Sequence, residues 1–461
     1  MRTVLAALVV AATAHTAHAF CGFYVSGSGS KLTNDATQVV LMRDGTRTVL
    51  SMQNDYKGPL EDFAMVVPVP VVLHDGDVKT LTPEVFAHVE SLGSPRLVEY
   101  WEEDPCPPPM LVGDGFGYGR AGFGAGGGGV SYGAIGMGHS SVKIEAKFDV
   151  AEYKILILSA TDSAGLETWL HDNGYKIPTG AEPLLRPYIE SGMKFFVAKV
   201  NPDKVAIVDG HAALSPLRFH YDSEEFALPI RLGMANAEGK QDLIVNILSK
   251  DTRYEVANYK NVFIPTNFDV KNAVKSRFAE FYAALFDKTI AVNPGAVVTE
   301  YAWQAKRGYH CDPCAEMDVS TADMAQLGAD VLGGDIANTF VLTRLHARYG
   351  KKDMKDDLRF REAKPIVGGR EQWSKDGIEY GAKPADDGEN HFQARFAIRH
   401  YWTKPITCAH PQRYVWGGPP DGSDSQTIGA SKLAFAPRGK LSLGSMIGRD
   451  LWEIGYKKGS K

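Results

Sequence analysis

The sequence predicts an α+β fold that is rich in antiparallel sheet, with a few packed helices. Residues 37–42 and 47–53 are apolar and β-branched and flank Asp44-Gly45, a strong hairpin signal. The continuous apolar run 63–70 is typical of a buried strand that ends at its prolines. One long amphipathic segment, 272–286, predicts a packed helix.

The composition is that of a globular protein. The 461 residues are 44% hydrophobic, 23% charged and 10% aromatic, with a net charge of −5. That balance gives no bulk electrostatic reason to bind nucleic acid or anionic lipid, and we expect no nucleic-acid partner. At roughly 100–200 residues per domain, the length predicts roughly two to four domains.

Residues 1–19 predict a secretory signal peptide. Arg2 gives the segment a positive start, residues 4–13 are apolar but too short to span a bilayer, and Ala17-His18-Ala19 is a small-residue cleavage signal. With cleavage after Ala19, we expect a secreted or periplasmic protein. No later stretch reaches the roughly 18 consecutive apolar residues of a membrane span, so we expect no integral membrane segment after cleavage.

The rest of the chain divides into three predicted regions. Residues 20–160 form an N-terminal β-rich domain, which includes a loop at 113–138 where 13 of 26 residues are glycine. Such a segment loses much backbone entropy on ordering and buries few side chains in return, so we expect a flexible excursion. Residues 161–300 are the central α+β domain, and residues 301–461 are the C-terminal region.

Capping residues mark two helix starts. Pro83 after Thr82 predicts a helix in which the Thr82 hydroxyl caps the first turn. Asp162 or Ser163 is predicted to cap a second helix, which ends near residue 173. A short helix is expected at 181–191, and strands are expected at 141–148, 152–159, 194–200, 214–220, 226–232 and 242–249.

A short internal similarity suggests two related β-units. Residues 61–65 and 224–228 share a pattern, and each leads into a proline-marked apolar strand after an upstream tyrosine, Tyr56 or Tyr221. Five matching positions are few, and chance is the alternative.

Cys311 and Cys314 form a C-x-x-C motif, for which three interpretations compete. With Cys408 and His410 they would supply the ligands of a tetrahedral zinc site. As a pair they would exchange thiols and disulfides. The third interpretation is structural disulfides, which export to an oxidising compartment favours.

All five cysteines are disulfide candidates: Cys21, Cys106, Cys311, Cys314 and Cys408. Because five is odd, one cysteine is free, ligated or intermolecular. A bond between Cys311 and Cys314 is the first expectation, and pairing of either with Cys106 or Cys408 is the next. The sequence does not supply the connectivity.

No catalytic motif stands out. Residues 129–133 match G-x-S-x-G, but they lie in the glycine-rich tract instead of between the buried strand and helix that a nucleophile elbow requires. The chain has no H-E-x-x-H, Walker or EF-hand motif. We therefore expect no catalytic residue, no cofactor and, outside the zinc alternative, no metal.

Two predicted strands carry basic side chains. In residues 342–349 apolar and polar positions alternate, which places Arg344, His346 and Arg348 on one face. Residues 391–402 look like a second strand with further basic residues. A cationic face shared by the two strands would bind an anionic ligand, although salt-bridged arginines are the commoner outcome.

A series of short blocks along the chain carries a resemblance to a known family. The blocks are residues 21–22, 56–59, 63–70, 169–175, 193–200, 214–218, 229–232, 311–314, 343–349 and 357–360. Together they resemble the DUF2330 family of exported bacterial proteins, from about residue 20 to about residue 410. The resemblance implies an exported bacterial protein of uncharacterised function, and it supplies no catalytic residues.

Two functional interpretations follow. The first is a non-catalytic envelope or extracellular protein, a disulfide-stabilised scaffold that binds an unknown envelope or extracellular partner protein through its loops. The missing catalytic motif and the glycine-rich loop favour it. The second is a metal-binding or thiol-redox protein centred on Cys311 and Cys314. Zinc analysis together with non-reducing peptide mapping separates the two.

Overall fold

The structure is a computed structural model that describes most of the chain. The described residues are 23–26, 33–34, 37–53, 56–57, 63–106, 141–175, 181–208, 211–235, 240–305, 319–333, 340–350, 353–369, 373–374, 377–378, 380–386, 388–418, 420, 426–429, 432–433 and 436–459. The signal peptide, the glycine-rich loop, Cys21, Cys311 and Cys314 lie outside them.

Helices are found in four parts of the described chain. The α-helices are α1 (Pro83–Gly93), α2 (Ser163–Asp172), α3 (Glu182–Glu190), α4 (Phe278–Val292), α5 (Thr321–Met324) and α6 (Asp330–Leu332). A π-helical turn at Ala325–Ala329 joins α5 to α6, and short 3₁₀ turns include Asn272–Arg277 and Trp452–Ile454.

Strands make up most of the regular structure. Those of the first half are β1 (Phe23–Ser26), β2 (Thr33–Asn34), β3 (Thr37–Asp44), β4 (Arg47–Gln53), β5 (Tyr56–Lys57), β6 (Phe63–Val69), β7 (Val78–Thr80), β8 (Arg96–Glu102), β9 (Val142–Val150), β10 (Tyr153–Ala160), β11 (Lys194–Val200), β12 (Ala206–Val208), β13 (His211–Ala213), β14 (Leu217–Asp222) and β15 (Ala227–Leu228). Those of the second half are β16 (Gln241–Lys250), β17 (Arg253–Val256), β18 (Asn261–Phe263), β19 (Phe268–Asp269), β20 (Val297–Gln304), β21 (Phe340–Tyr349), β22 (Leu358–Ala363), β23 (Ile366–Gly368), β24 (Trp373–Ser374), β25 (Gly377–Ile378), β26 (Lys383–Pro384), β27 (His391–Gln393), β28 (Arg395–His400), β29 (Trp416–Gly417) and β30 (Gln426–Thr427).

An eleven-stranded sheet forms the centre of the fold. Its order is β26-β23-β27-β20-β21-β16-β3-β4-β14-β7, and β18 also pairs with β20. All three regions into which the sequence was divided contribute strands to it. A five-stranded sheet, β1-β6-β11-β10-β9, and a second small sheet, β19-β28-β8-β29 with β30 on β8, complete the larger units. Most pairings are antiparallel, and the predicted β-rich α+β class is confirmed.

The two largest sheets pack face to face, with helices on both outer sides. Leu41 and Leu50 of the central sheet share a buried cluster with Met65, Ile155 and Phe196 of the five-stranded sheet. α2 and α3 cover the outer face of the five-stranded sheet, and α1 and α4 cover the outer face of the central sheet. The polar residues considered below lie between α1 and α4.

Several local predictions are confirmed, and one cap is not. β3 and β4 form the hairpin expected around Asp44-Gly45. Asp162 caps α2 by accepting a hydrogen bond from the backbone N–H of Gly165 at 2.6 Å. The Thr82 hydroxyl does not cap α1, because it donates to Gln326 Oε1 at 3.3 Å instead.

The helix expected at 272–286 is interrupted. The chain forms a 3₁₀ turn at Asn272–Arg277, leaves helical geometry at Arg277 (φ −134°, ψ 30°), and then continues as α4 to Val292. The prediction captured the apolar stripe, since Val274, Phe278, Phe281 and Leu285 are all buried. The prediction missed the break at Arg277, because the spacing of apolar side chains does not report a change of backbone dihedral angles at one residue.

The two segments that suggested related β-units are not equivalent in the structure. β6 has seven residues and lies in the five-stranded sheet, whereas β15 has two and pairs with β22. The strand expected at 226–232 stops early because Pro229 has no N–H to donate. The next two N–H groups, of Ile230 and Arg231, donate to the Asp357 carboxylate at 2.8 and 3.3 Å.

Among the described residues, no helix combines the length and the apolar character that crossing a membrane requires.

Candidate binding surface

A disulfide joins Cys106 to Cys408, two of the five predicted candidates. The two cysteines are 302 residues apart in sequence, and their Cα atoms are 5.6 Å apart. Because the Cys408 sulfur is bonded to Cys106, it is not a free thiolate for the four-ligand zinc set. The pairing of Cys311 with Cys314 lies outside the described residues and stays a prediction.

The disulfide holds a surface loop, residues 401–418, against the end of β8. We call these residues the clamped loop. The backbone N–H of Gln412 donates to Pro105 O at 2.8 Å, and the N–H of Glu103 donates to Val415 O at 2.9 Å. β29, inside the loop, pairs antiparallel with the end of β8. The loop is therefore attached along its length although it has little regular structure.

Glu102, the last residue of β8, is the electrostatic anchor of the clamped loop. Its carboxylate accepts hydrogen bonds from the backbone N–H groups of Trp402 and Tyr414, each at 2.9 Å, and from the guanidinium of Arg413 at 2.6 and 3.1 Å. The Arg413 hydrogen bonds, helped by the two backbone N–H groups, lower the pKa of Glu102 to about 2 against burial, which acts to raise it. The carboxylate is therefore ionised throughout the physiological range.

The clamped loop carries most of the exposed large apolar side chains of the described chain. Of the seven large hydrophobic residues that are exposed in the described chain, four belong to it: Tyr401 (52%), Ile406 (38%), Tyr414 (60%) and Val415 (42%). Tyr414 also has a positive φ of 67°, which is strained for a residue with a side chain. Several exposed large apolar residues on one anchored loop are typical of interaction sites.

The base of the loop is built from stacked aromatic and cationic side chains. Tyr401 packs edge-on against Trp416, with ring centroids 5.2 Å apart. The Arg399 guanidinium lies 4.7 Å from the centre of the Trp416 ring and 5.5 Å from that of Tyr100. These contacts orient the Tyr401 ring on the side that faces Trp416, while its other side stays exposed to solvent.

The predicted basic face of 342–349 is confirmed, and it is buried. Arg344 and His346 of β21 are completely buried, and Arg348 is mostly buried. Each pairs with carboxylates, so these side chains form a charge network that also includes Glu90, Asp242, Asp287, Glu300 and Arg438. The commoner outcome named at the sequence level, salt-bridged arginines, is the observed one.

Glu300 lies at the centre of this charge network. It is the extra residue of a β-bulge in β20, which turns its carboxylate toward β21. There it accepts Arg344 Nε at 2.7 Å and the Tyr282 hydroxyl at 2.6 Å, and it contacts His346 Nδ1 at 2.6 Å. The other His346 nitrogen, Nε2, lies 2.9 Å from Asp242 Oδ1.

The ionisation of the charge network follows from this geometry. Burial by itself would raise the pKa of Glu300, but His346 and Arg344 bring it down to about 2. Burial would likewise lower the pKa of His346, but Glu300 and Asp242 raise it instead. His346 is therefore a cation between two carboxylates, and its ring stacks on Phe286 with centroids 3.8 Å apart.

The alternative of a cationic face shared by the two basic strands is not observed among the described residues. β21 belongs to the central sheet, whereas β28, which carries Arg395, Arg399 and His400, belongs to the sheet around β8. Arg399 pairs with Asp269 and His400 with Glu99. Basic residues of both strands are paired with carboxylates, which is the outcome that the sequence favoured; the pattern within one strand does not reveal which sheet that strand joins.

The structure offers no cluster suited to a metal in the part of the chain that it describes. No group of three or more His, Cys, Asp or Glu side chains there is arranged to hold a metal ion. His410, the fourth residue of the proposed zinc set, is exposed on the clamped loop.

The clamped loop was missed at the sequence level, although a signal was present. Residues 401–418 contain four large aromatic residues, two prolines and no Asp or Glu. That composition is unusual for a surface segment of an acidic protein. Glu102 gives no comparable signal, because a carboxylate at the end of a strand does not reveal its distant partners.

Comparison with known proteins gives one match. The model of a family described as an uncharacterized protein conserved in bacteria, DUF2330, matches residues 15–361. The match ends before residue 410, so it contains Cys106 and β21 but not the clamped loop. No curated protein and no solved structure matches the chain. Because the family model covers more than half of the chain, the protein belongs to the DUF2330 family.

Proposed function

We propose that this is an exported, non-catalytic protein of the bacterial envelope or exterior that binds a partner protein through the clamped loop. The observation that carries the proposal is the loop itself: a segment with four exposed large apolar side chains, held rigidly by a disulfide and a buried carboxylate. The charge network and the sheets serve as its scaffold.

The disulfide supports export. Disulfides persist in oxidising compartments and are rare in the reducing cytosol. The proposed signal peptide at residues 1–19 would deliver the chain to such a compartment. Both point to the periplasm or the exterior.

The loop composition supports binding to a protein. Tyrosine, tryptophan and arginine are enriched at the centres of protein interfaces, and Tyr401, Tyr414, Trp416 and Arg413 all lie in or beside the exposed patch. The exposed aliphatic side chains of Ile406 and Val415 add the apolar surface that such interfaces bury. A loop that is already ordered loses little entropy on binding.

Site-specific crosslinking in the bacterium that encodes the protein tests the proposal. The photoreactive residue p-benzoylphenylalanine is placed at Tyr414 and, as a control, at Ile144, which is 49% exposed on β9 and far from the loop in sequence. We expect a discrete adduct from position 414 alone, and its loss in the C106S/C408S variant. Equal adducts at both positions, or none at 414, would contradict binding through the loop.

Fractionation of the same cells tests export independently. We expect the chain outside the cytoplasm with Phe20 as its first residue. Full-length protein in the cytosol would contradict export. Zinc analysis and non-reducing peptide mapping of the isolated protein test the remaining alternative, and bound zinc with reduced Cys311 and Cys314 would favour it.

A further inference from the structure

A second exposed feature lies near the C-terminus, on a tight turn that we call the Trp452 loop, residues 449–458. Leu451 and Tyr456 exchange two backbone hydrogen bonds of 2.9 Å, which close the turn. Leu451, Ile454 and Tyr456 are buried against the cluster around α4. Gly455 has the left-handed backbone (φ 62°) that ends the 3₁₀ turn. The loop is therefore firmly anchored.

Trp452 points away from this anchor. It is 79% exposed, more than any other large hydrophobic residue in the described chain. Leu451 and Ile454, on either side of it, already fill the core, so the fold does not need the indole. A single isolated ring offers too little apolar area for a protein interface of standard size. An indole at the boundary between water and lipid, in contrast, satisfies both its apolar face and its N–H.

The charges around the Trp452 loop differ from those of the whole protein. The net charge is −5, but residues 440–458 contain four cations and two acids. Arg449, Lys457 and Lys458 are exposed beside Trp452. Both acids are engaged locally: Asp450 accepts the backbone N–H of Lys458 at 2.6 Å, and Glu453 accepts the Tyr380 hydroxyl at 2.6 Å.

Arg449 is also held in place. Its guanidinium lies 4.0 Å from the centre of the Tyr380 ring, whose hydroxyl bonds to Glu453. The side chains of Arg449, Tyr380 and Glu453 therefore form a fixed unit next to the exposed indole. A preorganised cation beside an exposed tryptophan is the combination that an anionic lipid surface attracts.

We infer that the Trp452 loop docks the protein peripherally on an anionic lipid bilayer, with the indole at the interface and Arg449, Lys457 and Lys458 facing the lipid head groups. The overall negative charge opposes binding to lipid in general, so only this local surface would be used. The site is separate in sequence from the clamped loop.

Vesicle flotation with the purified full chain tests the inference. The probes are vesicles of phosphatidylcholine alone and of phosphatidylcholine mixed equally with phosphatidylglycerol. We expect binding to the mixed vesicles only, with strong weakening at high salt. Lys458→Ala should reduce the partition coefficient about fivefold, the effect of removing one cation near an anionic surface. Trp452→Ala should reduce it at least as much.

Ile144→Ala is the matched control, because it removes an exposed apolar side chain elsewhere, and it should bind as the original protein does. Unchanged circular dichroism and unfolding curves establish that the variants fold. Three results would overturn the inference: no binding to mixed vesicles, equal binding to both kinds, or binding that Trp452→Ala and Lys458→Ala leave intact.

Discussion

The charge network and the clamped loop both involve ion pairs between arginine and glutamate, but the two regions differ in what they leave exposed. In the network, Arg344 and His346 are fully buried and every charge faces an opposite one. At the clamped loop, the buried carboxylate of Glu102, on the neighbouring strand β8, binds the loop, and the Tyr401 and Tyr414 rings remain exposed. In the first arrangement the charges are paired within the fold, whereas in the second the apolar side chains stay exposed.

This difference separates the residues that stabilise the fold from those that we propose to bind a partner. A buried charge is tolerated only when it is paired, so the network is sensitive to the loss of any member. An exposed ring contributes little to folding, and a strained backbone at Tyr414 costs free energy. A rigid, strained and apolar surface segment is therefore better explained by binding than by the fold.

The largest effect on folding is expected from Glu300→Gln. The substitution preserves shape but removes the negative charge that Arg344 and His346 share, and it should lower the free energy of unfolding by about 3–5 kcal/mol. Urea denaturation measures the change. Crosslinking from position 414 should persist under conditions where the variant is folded.

Glu225→Gln is the matched control for that substitution. The Glu225 carboxylate pairs with Arg359 at 2.7 Å, but both side chains are more than half exposed. Such a pair contributes about 0.2–1 kcal/mol. A loss of less than about 1 kcal/mol for Glu300→Gln, similar to the control, would show that the buried charges are not coupled as the geometry indicates.

The alternating pattern of β21 explains why the network could be predicted in part. Period-two alternation placed Arg344, His346 and Arg348 on one face correctly, because side-chain direction is a local property of a strand. Their carboxylate partners come from α1, α4, β16 and β20, and sheet order is set by contacts between residues far apart in sequence. No local pattern contains that order.

The Cys106–Cys408 pairing and the clamped loop illustrate the same limit. Both cysteines were candidates, but a bond across 302 residues depends on β28 lying beside β8, a parallel pairing that no hairpin signal announces. Local elements such as the β3–β4 hairpin and α2 were predictable because turn and cap residues act within a few positions.

An intermediate effect is expected from Glu102→Gln, which weakens the attachment of the clamped loop. Hydrogen bonds to a charged group contribute about 1.5–3 kcal/mol, so the free energy of unfolding should fall by roughly that amount. Hydrogen exchange at the backbone N–H groups of Trp402 and Tyr414, which the carboxylate accepts, should accelerate the most. Exchange in β21 should not change.

The same carboxylate gives the loop a pH dependence with a definite sign. The pKa of Glu102 is lowered from 4.5 to about 2 on folding, so its contribution is fully present above pH 4.5 and is lost as the pH falls toward 2. After correction for the intrinsic pH dependence of exchange, the protection factors of the loop in the original protein should therefore fall across that range, while in Glu102→Gln they should be low throughout. Identical pH profiles for the two proteins would rule out this role of Glu102.

The smallest effect on folding is expected from Tyr414→Asn. Asparagine tolerates a positive φ better than tyrosine, and the lost ring is 60% exposed, so the free energy of unfolding should change by no more than about 0.5 kcal/mol. Binding of the partner, in contrast, should weaken strongly. With the photoreactive residue moved to position 401, the adduct should fall at least about tenfold, as expected when a central interface residue is removed. If Tyr414→Asn destabilised the protein as much as Glu300→Gln, or left the adduct unchanged, the exposed ring would belong to the fold and the division between network and loop would be wrong.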